Sequence, residues 1–193
     1  RSTLSSSSAA SDVYKRQDEV RVMLSNSMII RDAELAFAHS AIPYRTLCNR
    51  GANGIDGIIS TSLGASFGSE EKVICLIGDV AATHDFGGIL ASIRLEAEMT
   101  IVVLDNGGGG IFNFLPISNA INKEQLDKYF LTPTMLPFVE VLKSLSVDVS
   151  TPQTIKDLKA DITKTMSKSS LSIIYYQSDT DSTLRAFGSI RDA

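Results

Sequence analysis

Two apolar runs of strand length, Val73–Ile77 and Thr100–Leu104, each end abruptly in a polar pair. Gly78-Asp79 follows the first and Asp105-Asn106 the second, with a helical pattern between them in which Phe86, Ile89, Leu90, Ile93 and Ala97 recur on one face. Short apolar strands joined by a helical crossover are the pattern of a parallel sheet, because parallel neighbours cannot be joined by a tight turn. If the two strands are parallel and adjacent, both polar pairs emerge at one carboxyl edge, where open α/β sheets bind ligands.

The same alternation extends both ways. Strands are predicted at Val20–Leu24, Tyr44–Leu47 and Leu171–Tyr176, and helices at Met28–Ala38 and Gly57–Phe67. A last helix is predicted with Thr151 as N-cap and Pro152 as its first residue, burying Ile155, Leu158, Ile162 and Met166. The expected fold is a three-layer α/β domain, a central parallel sheet with helices on both faces, spanning residues 18–193. Residues 1–17 hold six serines, no Met and no hydrophobic period. They are expected to be a non-native or disordered Ser-rich leader, and the chain to be a fragment of a longer protein.

Composition excludes several function classes. Of 193 residues, 18 are Lys or Arg and 22 Asp or Glu, so a net charge of −4 offers no electrostatic footprint for nucleic acid or an anionic membrane. The apolar runs fall far short of the roughly 20 residues a membrane span needs, so no membrane insertion is expected. Cys48 and Cys75, with only His39 and His84 beside them, lack the spacing of a structural zinc site. They are expected to be reduced, which suits the cytoplasm.

Twelve of the 13 glycines lie between Gly51 and Gly110, four of them in the run Gly107–Gly110. Backbone in that stretch can approach a ligand closely. Asp79 and Asn106 stand 27 positions apart. Both offer hard oxygen donors suited to Mg²⁺, which takes its other ligands from phosphates and water, so the pair fits a diphosphate held through a metal. Taken singly, Asp79 would cap a helix and Asn106 would open a turn. Ser27 has no evident base partner, His84 reads as a capping or solvated loop residue, and Tyr175 and Tyr176 as strand packing. The spacing Gly51-x-x-Gly54-x-x-Gly57 is not that of a dinucleotide site.

These elements together resemble the thiamine-diphosphate-dependent enzymes, whose cofactor domain carries a Gly-Asp-Gly motif followed about 25 residues later by an Asn-Asn pair. Here the elements read Gly78-Asp79-Val80 and Asp105-Asn106. Ser25-Asn26-Ser27 with Arg31, the segment from Asn49-Arg50-Gly51 to Gly57, and Gly109-Gly110-Ile111-Phe112 through Leu115-Pro116 resemble the branch of that family acting in menaquinone biosynthesis. The likeness covers residues 20–178 and is densest from Asn49 to Pro116.

The resemblance implies thiamine diphosphate and Mg²⁺ or Mn²⁺ as cofactors, and 2-oxoglutarate and isochorismate as substrates. It implies a metal held by Asp79, the Asn106 side chain and the Gly108 carbonyl. The cofactor would further meet Gly78, Val80, Gly109 and Ile111, with Ile55 as the wedge that bends it. Ser27, Arg31, Arg50, Ile111, Phe112 and Leu115 would line the substrate pocket, and guanidinium groups are suited to grip the substrates' carboxylates. The implied activating glutamate belongs to a pyrimidine-binding domain of a partner subunit, so no catalytic residue is assigned here. A homodimer or homotetramer is implied, and the chain alone is expected to be inactive. The small residues of Gly57–Phe67 are expected to permit close packing. Asp105, standing where the family has Asn, places a second carboxylate near the diphosphate and bears on cofactor affinity. The alternatives are another member of the family, of acetolactate synthase or oxo-acid decarboxylase type, and a non-catalytic phosphate-binding α/β module.

Overall fold

A computed structural model describes residues 20–37, 45–68 and 70–178. The expectations for the leader 1–17 and for Ala38, His39 and Tyr44 lie outside the described residues.

Six parallel strands form one sheet in the order β2-β1-β3-β4-β6-β5. They are β1 (Val20–Leu24), β2 (Arg45–Cys48), β3 (Lys72–Gly78), β4 (Met99–Asp105), β5 (Asp148–Ser150) and β6 (Ser172–Gln177). Between them run α1 (Met28–Phe37), α2 (Ile58–Phe67), α3 (Asp79–His84), α4 (Phe86–Arg94), the short α5 (Ile117–Ala120) and α6 (Lys123–Leu126), α7 (Phe138–Ser144) and α8 (Ile155–Thr165).

The central strands are apolar at nearly every position because both faces are covered. Met23, Val73, Cys75, Ile77, Ile101 and Val103 pack against Ile58, Ile59 and Leu63 of α2, Ile89 of α4, and Phe138 and Leu142 of α7. The alternate residues Val22, Leu24, Ile74, Leu76, Val102 and Ile174 pack against Ile29 and Ala33 of α1 and Leu158 and Ile162 of α8. A period of two therefore sorts one strand's side chains into two cores, giving the expected three layers.

Chain order fixes where a ligand can sit. From β1 the chain moves outward to β2, then returns to place β3 on the other side of β1. The loops after β1 and β3 thus diverge, opening a crevice at the carboxyl edge. The single helix expected between β3 and β4 is in fact two helices, α3 and α4, which meet at Asp85. Asp85 accepts hydrogen bonds from Ser60 N and Ser60 Oγ, both at 3.0 Å, and so ties α4 to α2.

Two expectations need correction, the cap of α8 and the place of His84. The N-cap of α8 is Thr154, whose Oγ1 accepts from Asp157 N at 3.1 Å, rather than Thr151; capping depends on an acceptor three residues before a free N–H, which only Thr154 satisfies here. His84 closes α3 and is not in a loop. Cys48 is exposed on the edge strand, whereas Cys75 is buried and its thiol pushed up to about 12; both are free. None of the described helices is long and apolar enough to cross a membrane.

Candidate functional site

β3 and β4 pair in register from Val73 opposite Met99 to Gly78 opposite Leu104. Asp79 and Asp105-Asn106 therefore leave the sheet side by side. Gly78 serves as N-cap of α3 without a side-chain cap, and Asp79 is that helix's first residue, so Asp79 does not cap the helix. The residue is 4% exposed, and Oδ2 is buried without a hydrogen-bond partner. Burial and the nearby Asp105 carboxylate push Asp79 up to about 7, against the backbone N–H groups of Val80 and Gly108, which pull it down.

An unpartnered buried carboxylate oxygen is costly, and Asp79 lines a cavity of about 360 Å³. The wall brings together Ser27, Ile55, Gly78, Asp79, Val80, Asn106, Gly108, Gly109, Ile111 and Phe112. All eight residues expected to bind the cofactor are among them. A carboxylate, an amide oxygen and the backbone carbonyl of Gly108, which also accepts from Gly110 N at 2.8 Å, form an oxygen donor set suited to Mg²⁺. Among the described residues, no three His, Cys, Asp or Glu side chains cluster as a metal site, so such a cation would rest on this mixed set and on its ligand.

The glycines of the loop have specific causes. Gly108 sits at φ +122°, and a Cβ there would lie 2.3 Å from the Leu131 carbonyl oxygen. Gly109 N donates to that same oxygen at 2.6 Å. A π-helical turn, Asp127–Leu131, thus presses against the loop, and Phe130 meets Phe112 edge-on at 5.6 Å.

Asp105 is held at both carboxylate oxygens. Its Oδ1 accepts from Gly107 N at 2.8 Å and its Oδ2 from the Tyr175 hydroxyl at 2.5 Å. Both oxygens are engaged, although the charge still acts on Asp79.

The loop before Ile55 is held by Asn26, which is 2% exposed. Asn26 Nδ2 donates to the carbonyls of Asn49, at 2.9 Å, and Gly54, at 2.5 Å, while Asn26 Oδ1 accepts from Arg50 Nη1 at 2.7 Å. Arg31 Nη1 donates to the Ser27 carbonyl at 2.5 Å. The cavity wall includes neither arginine, and Leu115 also lies outside it, 42% exposed. The arginines instead contact Asn26 and Ser27, which do line it.

Residues 33–175 match the family model for the thiamine pyrophosphate enzyme, C-terminal TPP binding domain. The chain belongs to this family of thiamine pyrophosphate enzymes, as its C-terminal TPP-binding domain. This TPP-binding domain is 41% identical, over 69% of its length, to 2-succinyl-5-enolpyruvyl-6-hydroxy-3-cyclohexene-1-carboxylate synthase of Bacillus pumilus strain SAFR-032, and covers 23% of that protein. Against the Oceanobacillus iheyensis protein of the same name it is 38% identical over 84% of its length, covering 28%. The chain therefore spans about a quarter of the length of these relatives. Benzoylformate decarboxylase of Polynucleobacter necessarius shares the fold, with a TM-score of 0.74 at 17% identity over 92% of this chain and 32% of that one.

The sequence left several wall residues unassigned: Asn26, Asp32, Phe130, Thr132 and Ser178. Asn26 stood within a quoted motif, but its role depends on two loops meeting. Asp32 follows Arg31 on α1. Its buried Oδ1 has no partner, and burial pushes the carboxyl up to about 7 against the pull of Arg31. Nothing local marked Phe130 or Thr132, which reach the site through a segment without strand or helix period.

Proposed function

We propose that this chain is the metal- and diphosphate-holding part of a synthase that decarboxylates 2-oxoglutarate and adds the resulting succinyl unit to isochorismate, in menaquinone or phylloquinone biosynthesis. The observation that carries this reading is the single cavity in which Ile55, Asp79, Asn106 and Gly108 meet at the carboxyl edge of β3 and β4. The shared name of relatives at 41% and 38% identity supports the choice of reaction.

Thiamine diphosphate, when bound, supplies the electron sink that loss of CO₂ from a 2-oxo acid requires. The chain's own residues bind and orient. Asp79, Asn106 and the Gly108 carbonyl hold Mg²⁺ or Mn²⁺, and Gly78, Val80, Gly109 and Ile111 surround the diphosphate end. Ile55 would be the apolar wedge against which the cofactor rests. Ser27, Arg31 and Arg50 receive substrate carboxylates, beside the apolar surface of Ile111, Phe112 and Leu115. For the arginines this requires exchanging their present carbonyl and amide partners for a carboxylate, a stronger and bidentate acceptor.

The activating glutamate would come from the pyrimidine-binding domain of a partner subunit within a homodimer or homotetramer, in the cytoplasm. The chain alone would then be inactive. The test is CO₂ release from 2-oxoglutarate by the complete protein with thiamine diphosphate and Mg²⁺, with and without isochorismate. Isochorismate-dependent release with a product of the adduct mass is expected. Equal release without isochorismate would point to an oxo-acid decarboxylase and overturn the assignment.

A further inference from the structure

The Tyr175 side chain is held at two points, its ring and its hydroxyl. Its ring stacks on Phe138 of α7 with centroids 5.8 Å apart and planes at 28°, and Phe138 in turn meets Phe86 of α4 edge-on at 5.9 Å. Its hydroxyl donates to Asp105 Oδ2 at 2.5 Å. The sheet explains the reach. β6 pairs with β4 so that Tyr175 lies opposite Val103, and the two-residue alternation places Val103 and Asp105 on the same face. The tyrosine thus extends diagonally along the strand to the carboxylate at its end.

Asp105 passes this constraint on. Its other oxygen accepts from Gly107 N, at the point where the chain turns into positive φ, +83° at Gly107 and +122° at Gly108. Asn106 lies between the two anchored residues, and Gly108 follows directly. A carboxylate with only one donor would be free to rotate about its side-chain bonds. With a donor on each oxygen, it fixes the turn that brings Asn106 and Gly108 to the cavity wall. Rings from α4, α7 and β6 thereby connect to the loop through one hydroxyl.

We propose that Tyr175 is a positioning residue for the metal- and diphosphate-binding loop, acting through Asp105. Tyr175 is not among the residues of the cavity wall. The positioning role rests on the proposed metal site, and the experiment separates the two ideas.

The complete protein is titrated with Mn²⁺ in the presence of thiamine diphosphate, with free Mn²⁺ read by electron paramagnetic resonance, for the parent, Tyr175→Phe, Asp105→Asn and the double variant. Tyr175→Phe keeps the ring and its stack and removes one charge-assisted hydrogen bond. It is expected to weaken Mn²⁺ binding roughly tenfold and, because Asp105 Oδ2 loses its donor, to lower the Tm of the metal-free protein as well. In the Asp105→Asn background the same substitution is expected to cost less than half as much on a logarithmic scale, because the charged acceptor is gone. Phe138→Leu, which leaves hydroxyl and carboxylate intact but removes the ring that orients them, is expected to weaken binding in the same direction, and serves as the test if Tyr175→Phe does not fold. Unchanged Mn²⁺ affinity in Tyr175→Phe, or an equal loss in both backgrounds, would overturn the positioning role alone. Absence of any thiamine-diphosphate-dependent Mn²⁺ binding in the parent would overturn the metal site and this proposal with it.

Discussion

The side-chain amide of Asn26 donates to the carbonyl of Gly54 at 2.5 Å, one residue before Ile55, and so joins the loop after β1 to the loop after β2. The same side chain holds the Asn49 carbonyl and accepts from Arg50. Removing it leaves two carbonyls and a guanidinium without this partner. Asn26→Ala is expected to lower the unfolding free energy of the complete protein by about 1–3 kcal/mol, measured by urea denaturation. It should also weaken thiamine diphosphate binding, because the segment carrying Ile55 loses its tether. Unchanged stability would show that the loop is held by other contacts.

Asp79 gives the site a predictable pH dependence. Its folded value near 7 lies above the ordinary 3.8, so the folded state takes up a proton more readily than the unfolded one. That contribution to stability is full below about 4 and is lost as pH rises through 7. The metal-free protein should therefore lose stability over this range, and added Mg²⁺ should restore it increasingly as the carboxylate ionises. Below pH 7, Mg²⁺ affinity is expected to fall by up to about tenfold per unit, as protons compete for the same oxygen. Asp32 titrates in the same window. Calorimetric Mg²⁺ titrations in an Asp32→Asn background isolate Asp79, and a flat pH profile there would contradict the account.

Two glycines are required by contact rather than by turn geometry alone. A Cβ at Gly88 would stand 2.9 Å from Ser60 Oγ and 3.0 Å from Ser60 N, across the α2–α4 contact that Asp85 stitches. Gly88→Ala is expected to cost about 1–3 kcal/mol of stability, visible as a lowered Tm, without removing a site residue.

At Gly108 the added Cβ would meet the Leu131 carbonyl oxygen at 2.3 Å from a backbone at φ +122°. Gly108→Ala is expected to displace the loop and abolish Mg²⁺-dependent binding of thiamine diphosphate in equilibrium dialysis. A variant with parental affinity would show that the loop carries no ligand.

The sheet was legible because its signals are local. Val73–Ile77 and Thr100–Leu104 are long apolar runs bounded by polar pairs, and each lies within the strand observed. The stripe of Ile155, Leu158 and Ile162 marked α8, though its cap was misplaced by three residues, since both Thr151 and Thr154 carry capping chemistry. β5 escaped notice because three residues of an edge strand, Asp148–Ser150, carry no period. The segment after Gly110 was equally opaque. Its short helices are set by packing and by a capping box, Asn122 with Gln125, whose residues are ordinary in a loop.

The site followed the same division. Asp79 and Asn106 were readable because strand register converts sequence position directly into adjacency. Tyr175 looked like strand packing. Its bond to Asp105 arises only when β6 inserts beside β4, 70 positions away in sequence. Arg31 and Arg50 were expected on the pocket wall, and their contacts with Ser27 and Asn26 place them one residue behind it. Long flexible side chains choose partners in three dimensions that no spacing encodes.

The central claim is that the carboxyl edge of β3 and β4 holds a diphosphate through a metal bound to Asp79. Calorimetric binding of thiamine diphosphate to the complete protein, with and without Mg²⁺, for the parent and Asp79→Ala, tests it most directly. The account predicts Mg²⁺-dependent binding in the parent and its loss in the variant. Metal-dependent binding that survives Asp79→Ala unchanged would contradict it and favour a phosphate-binding module that uses the glycine loop alone.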